Sequence, residues 1–235
     1  MTLTTIRAVP VTRPRALDLF CGGGGVAEGL IEAGFDVTGI DIHDHSASYP
    51  GHFVQGDVCM PPVTRQGWTL VWASPPCQMF SVARTRRATK PAVNLIPETR
   101  RLLEEFDAYT VIENVPNAPI RADIRLSGPM LGLRRIVRTR HFETNFYTGL
   151  WPPFSNRYQC LPHQKISPSK RMACPTHWYP RKAIGLPGQP SNDEVRSAMG
   201  ITNQRMTREE LGETIPPSYA QIIGTRILRG EAHRF

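Results

Sequence analysis

At 235 residues, 40% of them hydrophobic, the chain is long enough for one full α/β core with a small appendage, and too short for more. Its 28 lysines and arginines against 20 acids give a net charge of +8, which fits either a solvated basic face or a polyanionic partner, nucleic acid first. Five scattered cysteines argue against a disulfide framework, and the sequence has neither an apolar leader in "MTLTTIRAVPVTRPR" nor a run near the roughly 18 apolar residues of a membrane span.

The first half alternates between two kinds of pattern. "RALDLF" (15–20) reads as a buried strand, the glycine run 22–25 as a turn, and "VAEGLIEAGF" as a helix with Val26, Leu30 and Ile31 on one side. "DVTGID" (36–41), "HFVQGDV" (52–58), "TLVWA" (69–73) and "AYTVIEN" (108–114) read as four more strands, with a helix at "PETRRLLEEF" before the last. Strands separated by helices predict βαβ units and a mostly parallel twisted sheet, with working groups at the strands' carboxyl ends. From about 144 to 188 prolines and aromatics replace any clear periodicity, which predicts a small irregular subdomain. Helical signals return at "SNDEVRSAMG", capped by Ser191 or Asn192, at "TREEL", where Thr207 and Glu210 form a capping-box pattern, and at "IPPSYAQIIGTRIL".

The glycine run suits a nucleotide-like cofactor, with Gly22 and Gly24 allowing close backbone approach; a nicotinamide dinucleotide and S-adenosylmethionine fit it equally. Asp41, roughly twenty residues on, is placed to accept from ribose hydroxyls, and Asp57 from an adenine amino group. Two further residues separate the cofactors. Cys77, behind Pro75 and Pro76, ends the fourth strand and Glu113 ends the fifth, so thiol and carboxyl converge on one crevice. Hydride transfer has no use for that pair.

In these motifs, "DLFCGGGG", "SPPCQMFS", "IENVP", the arginines of "RTRHF" and "GETIPPSYAQIIG", the chain resembles the cytosine-5 DNA methyltransferases over roughly 15–142 and 207–228. The resemblance implies a Rossmann-like S-adenosylmethionine methyltransferase fold. It also implies that Cys77 adds to carbon 6 of a flipped cytosine, that Glu113 supplies a proton at ring nitrogen 3, and that Arg140, with Arg138 nearby, binds the base carbonyl or holds the carboxylate. Phe20 would stack on the adenine, Gly22 and Gly24 would lie near the amino-acid moiety, and Asp41 and Asp57 would hold ribose and adenine. Ile42 and Val58 join the cofactor set, and Thr214 and Ile215 would close the methionine end. Pro75, Pro76, Gln78, Ser81 and Arg84 are assigned to the substrate, with Arg84, Arg86, Arg87 and Lys90 on a loop suited to phosphates.

The family's usual asparagine in the last motif is replaced by Glu213, and the usual leading glutamine of the eighth motif is absent, leaving Arg138 and Arg140 as alternatives for one role. Domains are expected at 1–142 (catalytic), 143–205 (target recognition) and 206–235 (return to the catalytic domain). The short recognition stretch predicts a short target or little sequence preference. Within it, Cys160, His163, Cys174 and His177 form two Cys-x-x-His pairs suited to a tetrahedral zinc, while His43, His45 and His141 read as surface or supporting residues. The expected substrate is double-stranded DNA, and the expected setting a cytoplasmic monomer in a bacterial cell or phage-infected host. RNA, a free cytidine nucleotide, a silent nucleic-acid-binding module and a nicotinamide oxidoreductase are the competing readings.

Overall fold

The computed structural model describes residues 12–80, 93–133, 136–149, 151 and 191–235. Apolar runs become the strands β1 (Arg15–Leu19), β2 (Asp36–Asp41), β3 (His52–Gln55), β4 (Leu70–Ala73) and β5 (Tyr109–Asn114). They pair in parallel in the order β3-β2-β1-β4-β5. Two antiparallel strands extend this sheet to seven: β7 (Arg140–Thr144) lies against β5, and β6 (Ile124–Leu126) against β7. The strand order reverses between β1 and β4, and the crevice beyond their carboxyl ends is where open α/β sheets bind ligands.

Both faces of the parallel part are covered, which is why its strands read as continuous apolar runs. Along β4, Leu70 and Trp72 join the cluster on one face, and Val71 and Ala73 join that on the other, all fully buried. Helices α1 (Gly25–Ala33) and α5 (Pro217–Leu228) cover the first face, and α2 (Ile96–Leu103) contributes Leu102 and Leu103 to the second. Two further helices precede α5. Both α3 (Asn192–Met199) and α4 (Arg208–Glu213) start on complete capping boxes, Ser191 with Glu194 and Thr207 with Glu210, so Ser191 rather than Asn192 is the cap of α3. Val195, Met199, Met206 and Leu211 pack there with Ile136 as a small separate core.

The structure departs from the sequence reading in three places. β3 ends at Gln55, because Gly56 and Asp57 turn out of the sheet instead of extending it to 58. The connections from β2 to β3 and from β3 to β4 contain no helix. The strands β6 and β7 lie in stretches that looked only basic and polar, and β8 (Phe146–Tyr147) pairs with the chain's last strand, β9 (His233–Arg234). Among the described residues no helix is long and apolar enough to cross a membrane.

α1 and α5 meet backbone to backbone. A β-carbon on Gly29 would overlap the Pro217 carbonyl and crowd the Gln221 amide. An alanine in a helix ordinarily gains up to about 1 kcal/mol over glycine. Gly29→Ala is expected to reverse that sign and destabilise by about 1–3 kcal/mol, read as a lower denaturant midpoint.

Candidate active site

After β1 the chain turns sharply. Phe20 takes φ +59 and Gly22 φ +50, both left-handed. A β-carbon at Gly22 would meet nothing within 4 Å, so its backbone faces open space that a ligand can approach. Gly24 (φ +86) is instead packed on Tyr49 and Pro50 and serves as the N-cap of α1. Asp41 braces the turn: its Oδ2 accepts from the Gly22 N–H at 3.1 Å, and its Oδ1 from the His43 N–H at 3.0 Å. Beside it lies a cleft of about 220 Å³ lined by Phe20, Val58, Cys59, Glu98 and Leu102. Asp57 is exposed at its rim, where its Oδ1 accepts from the Cys59 N–H at 2.9 Å, and Ile42 is also exposed. Thr214 and Ile215 close over Gly25 at the start of α1, with no room there for a side chain. An open-backbone turn, a carboxylate at its edge and a cleft with one aromatic wall and Glu98, Arg101 and Glu105 among its lining fit the parts of an adenosyl group, so these residues suit S-adenosylmethionine.

The thiol lies across the crevice. The Ser74 N–H donates to the Leu19 carbonyl at 3.1 Å, and the buried Asn114 side chain donates to the Pro75 carbonyl at 2.9 Å, so the Pro75–Pro76–Cys77 loop is tied to β1 and β5. Cys77 is half-buried, and burial pushes its thiol up; the Arg140 charge opposes that rise, Glu113 adds to it, and Arg138 opposes it again. Pro75 is buried, while Pro76 and Gln78 are exposed. Glu113, buried at the end of β5, takes the Arg140 Nε at 2.7 Å on its Oε1.

The two arginines have different partners. Arg138 is buried at φ +35, its Nη2 donates to the Gly212 carbonyl at 2.6 Å, and its Nε has no partner. Burial and the neighbouring Arg140 push that guanidinium down to about 9. Arg140 thus stands with the carboxylate, and Arg138 with the C-terminal segment. Ser81, Arg84, Arg86, Arg87 and Lys90, and the zinc candidates Cys160, His163, Cys174 and His177, lie outside the described residues. Among the described residues no group of three or more His, Cys, Asp or Glu is arranged to hold a metal.

Several residues of the site were not singled out from sequence. Asn114 stood inside the quoted "IENVP". Asp18 stood inside "DLFCGGGG", an acid in an apolar strand; it is fully buried, accepts from the Tyr49 hydroxyl at 3.1 Å, and has no partner on Oδ1. Burial pushes its carboxyl up to about 8, against the Tyr49 hydrogen bond. Glu210 does more than cap α4: its Oε1 also accepts from the Ser48 hydroxyl at 2.6 Å and stands 2.7 Å from His45 Nδ1.

Fold and crevice together define a Rossmann-like S-adenosylmethionine methyltransferase fold. Residues 15–120 match the family of C-5 cytosine-specific DNA methylases. A curated relative, the Type II methyltransferase M.HgiDI of Herpetosiphon aurantiacus, is 26% identical over 130 residues, which are 50% of this chain and 42% of the relative. The match therefore spans less than half of that relative's length. Among solved structures, Entamoeba histolytica EhMeth is 12% identical with a TM-score of 0.58, covering 93% of this chain and 99% of its own. Spodoptera frugiperda DNMT2 is 16% identical with a TM-score of 0.53, covering 92% and 99%. These likenesses show the fold.

Two outcomes follow from the charges. Removing the Arg140 charge leaves burial less opposed at the Cys77 thiol, so Arg140→Met is expected to slow peptide-resolved alkylation of Cys77 at pH 8, with exposed Cys59 unchanged as an internal standard. Asp18 keeps a proton in the native state that the unfolded chain has lost, so its contribution weakens as pH rises from about 4 to about 8 and is level above. Denaturant titrations across that window are expected to show a shallower decline for Asp18→Asn.

Proposed function

We propose that the protein transfers a methyl group from S-adenosylmethionine to carbon 5 of a flipped-out cytosine in double-stranded DNA. The observation that carries this reading is the Arg140–Glu113 pair set beside the Pro75–Pro76–Cys77 loop. Bound S-adenosylmethionine supplies an electrophilic methyl group, for which carbon 5 of cytosine is too weak a nucleophile by itself. Cys77 remedies that by adding as thiolate to carbon 6, which moves an electron pair into the ring. Glu113 delivers a proton at ring nitrogen 3 as that charge develops, and Arg140 holds its carboxyl in place. After transfer, water takes the carbon 5 proton, the bond from carbon 6 to sulfur breaks to release the Cys77 thiolate, and ring nitrogen 3 returns its proton to Glu113.

On the donor side, Asp41 binds the ribose hydroxyls, Phe20 and Val58 enclose the adenine, and Thr214 and Ile215 close the methionine end. Reaching a base inside a duplex requires extruding it, at a cost of a few kcal/mol. The basic residues Arg84, Arg86, Arg87 and Lys90 supply phosphate contacts toward that cost, and the stretch 143–205 selects the target.

The test incubates the protein and a Cys77→Ser variant with labelled S-adenosylmethionine and, separately, duplex DNA, RNA and cytidine nucleotides, then digests and identifies the labelled base. 5-Methylcytosine is expected from duplex DNA and at background in the variant. Label found only in RNA or nucleotide overturns the DNA assignment; no label in any substrate, with the donor still bound, overturns the catalytic reading.

A further inference from the structure

The Asp41 carboxylate is connected to the far end of the chain through one imidazole. His45, in the connection after β2, has Nδ1 2.7 Å from Glu210 Oε1 and Nε2 4.0 Å from Asp41 Oδ1. Its ring is half-buried, edge-on to Phe53 at 6.2 Å between centroids. The groups around it are thus the Asp41 and Glu210 carboxylates, those of Asp44 and Glu213 within electrostatic reach, an aromatic edge and the Ser48 hydroxyl, which shares Glu210 Oε1. No other histidine of the described residues bridges two acids in this way: His52 meets only Asp36, at 3.8 Å on the surface.

Glu210 is itself held from several directions. Oε2 accepts the Thr207 N–H at 2.7 Å, which closes the capping box of α4, while Oε1 serves Ser48 and His45. These hydrogen bonds, led by that of Ser48, outweigh the effect of burial and hold the Glu210 carboxyl below its usual range. The Glu210 stem also covers the glycine turn, since a β-carbon on Gly23 would stand 2.9 Å from Glu210 Cβ. Asn203 reinforces the contact by donating to the Ser48 carbonyl at 2.6 Å. Four residues after Glu210 comes Thr214, at the methionine end of the proposed donor site.

Asp41 has its two oxygens directed by the Gly22 and His43 amides, on turns that are themselves tied by the Gly24 N–H to the Cys21 carbonyl at 3.1 Å and by Gln55 Nε2 to the Ile42 carbonyl at 3.0 Å. His45 adds the third support, and it is the one whose other end depends on α4 being seated. We propose that His45 is a positioning residue for methyl-donor binding, orienting the Asp41 carboxylate through its contact with Glu210 and so making the ribose end of the site depend on docking of the C-terminal segment. This inference rests on the donor site given under the proposed function.

The experiment is calorimetric titration of the full chain with S-adenosylmethionine and S-adenosylhomocysteine, paired with steady-state kinetics. His45→Ala is expected to weaken binding of both ligands about threefold, the scale of a partly exposed charge contact at 4.0 Å, with kcat at saturating donor within about twofold of the parent. His45→Asn, which keeps a donor near the position of Nδ1, is expected to recover part of that loss, and His52→Ala to change nothing. In an Asp41→Asn background the effect of His45→Ala is expected to shrink, because the carboxylate it orients is gone.

Melting curves on each variant separate this from unfolding. Unchanged donor affinity in a folded His45→Ala protein overturns the proposal, as does a loss that persists in full in the Asp41→Asn background. Failure of the parent protein to bind either ligand overturns the donor site itself, a result distinguishable from both.

Discussion

The close contact of α1 with α5 is the constraint on which the rest of the molecule depends. Gly29 lets the first helix lie directly on the backbone of Pro217 and Gln221, and Gly25 makes room for the Thr214 side chain and the Ile215 carbonyl. The glycine turn enters α1 from one side of this contact, and Thr214 and Ile215 enter α5 from the other. Both walls of the donor site are therefore set by one helix pair. Without that contact the crevice at the switch point of the sheet would have a floor and one wall.

The site is also where the backbone is least relaxed. Phe20 and Arg138, the only non-glycine residues with positive φ among those described, stand on opposite sides of the crevice. Each such conformation costs of order 1–3 kcal/mol and persists only when its surroundings enforce it. Arg138 is held by the Gly212 carbonyl through its side chain, and its own carbonyl accepts from the Tyr219 hydroxyl at 3.1 Å, a buried tyrosine of α5. Asp18 and Arg138 are both buried with an unpartnered polar atom. Glu28, Thr148 and Ser218 each bury one as well, so this cost is spread through the fold and is not confined to the crevice.

What the sequence disclosed follows the range of the forces involved. β1, β2, β4 and β5 were legible because strands buried on both faces are continuous apolar runs. The capping boxes at Ser191 and Thr207 were legible because cap and partner are three residues apart. β7 was not, since "RHFET" has a single apolar residue in five positions and its pairing partner lies some thirty residues earlier. The motifs located Cys77 and Glu113 by order along the chain, while the division of labour between Arg138 and Arg140 depended on which carbonyl or carboxylate each could reach. Glu210 shows the same limit. Its cap was visible locally, whereas His45 and Ser48 stand 165 and 162 residues away and nothing local announces them.

The pairing of β8 with β9 brings Phe146 and Tyr147 against Arg234 and His233, and α3 begins at a complete cap on Ser191. The chain thus leaves the sheet just after a strand pinned by residues 233–234 and is next described at a self-contained helix start. Two fixed docking points of this kind make the intervening sequence exchangeable. Changes of sequence or length there leave the Cys77 loop and the Glu113–Arg140 pair where β1, β5 and β7 hold them.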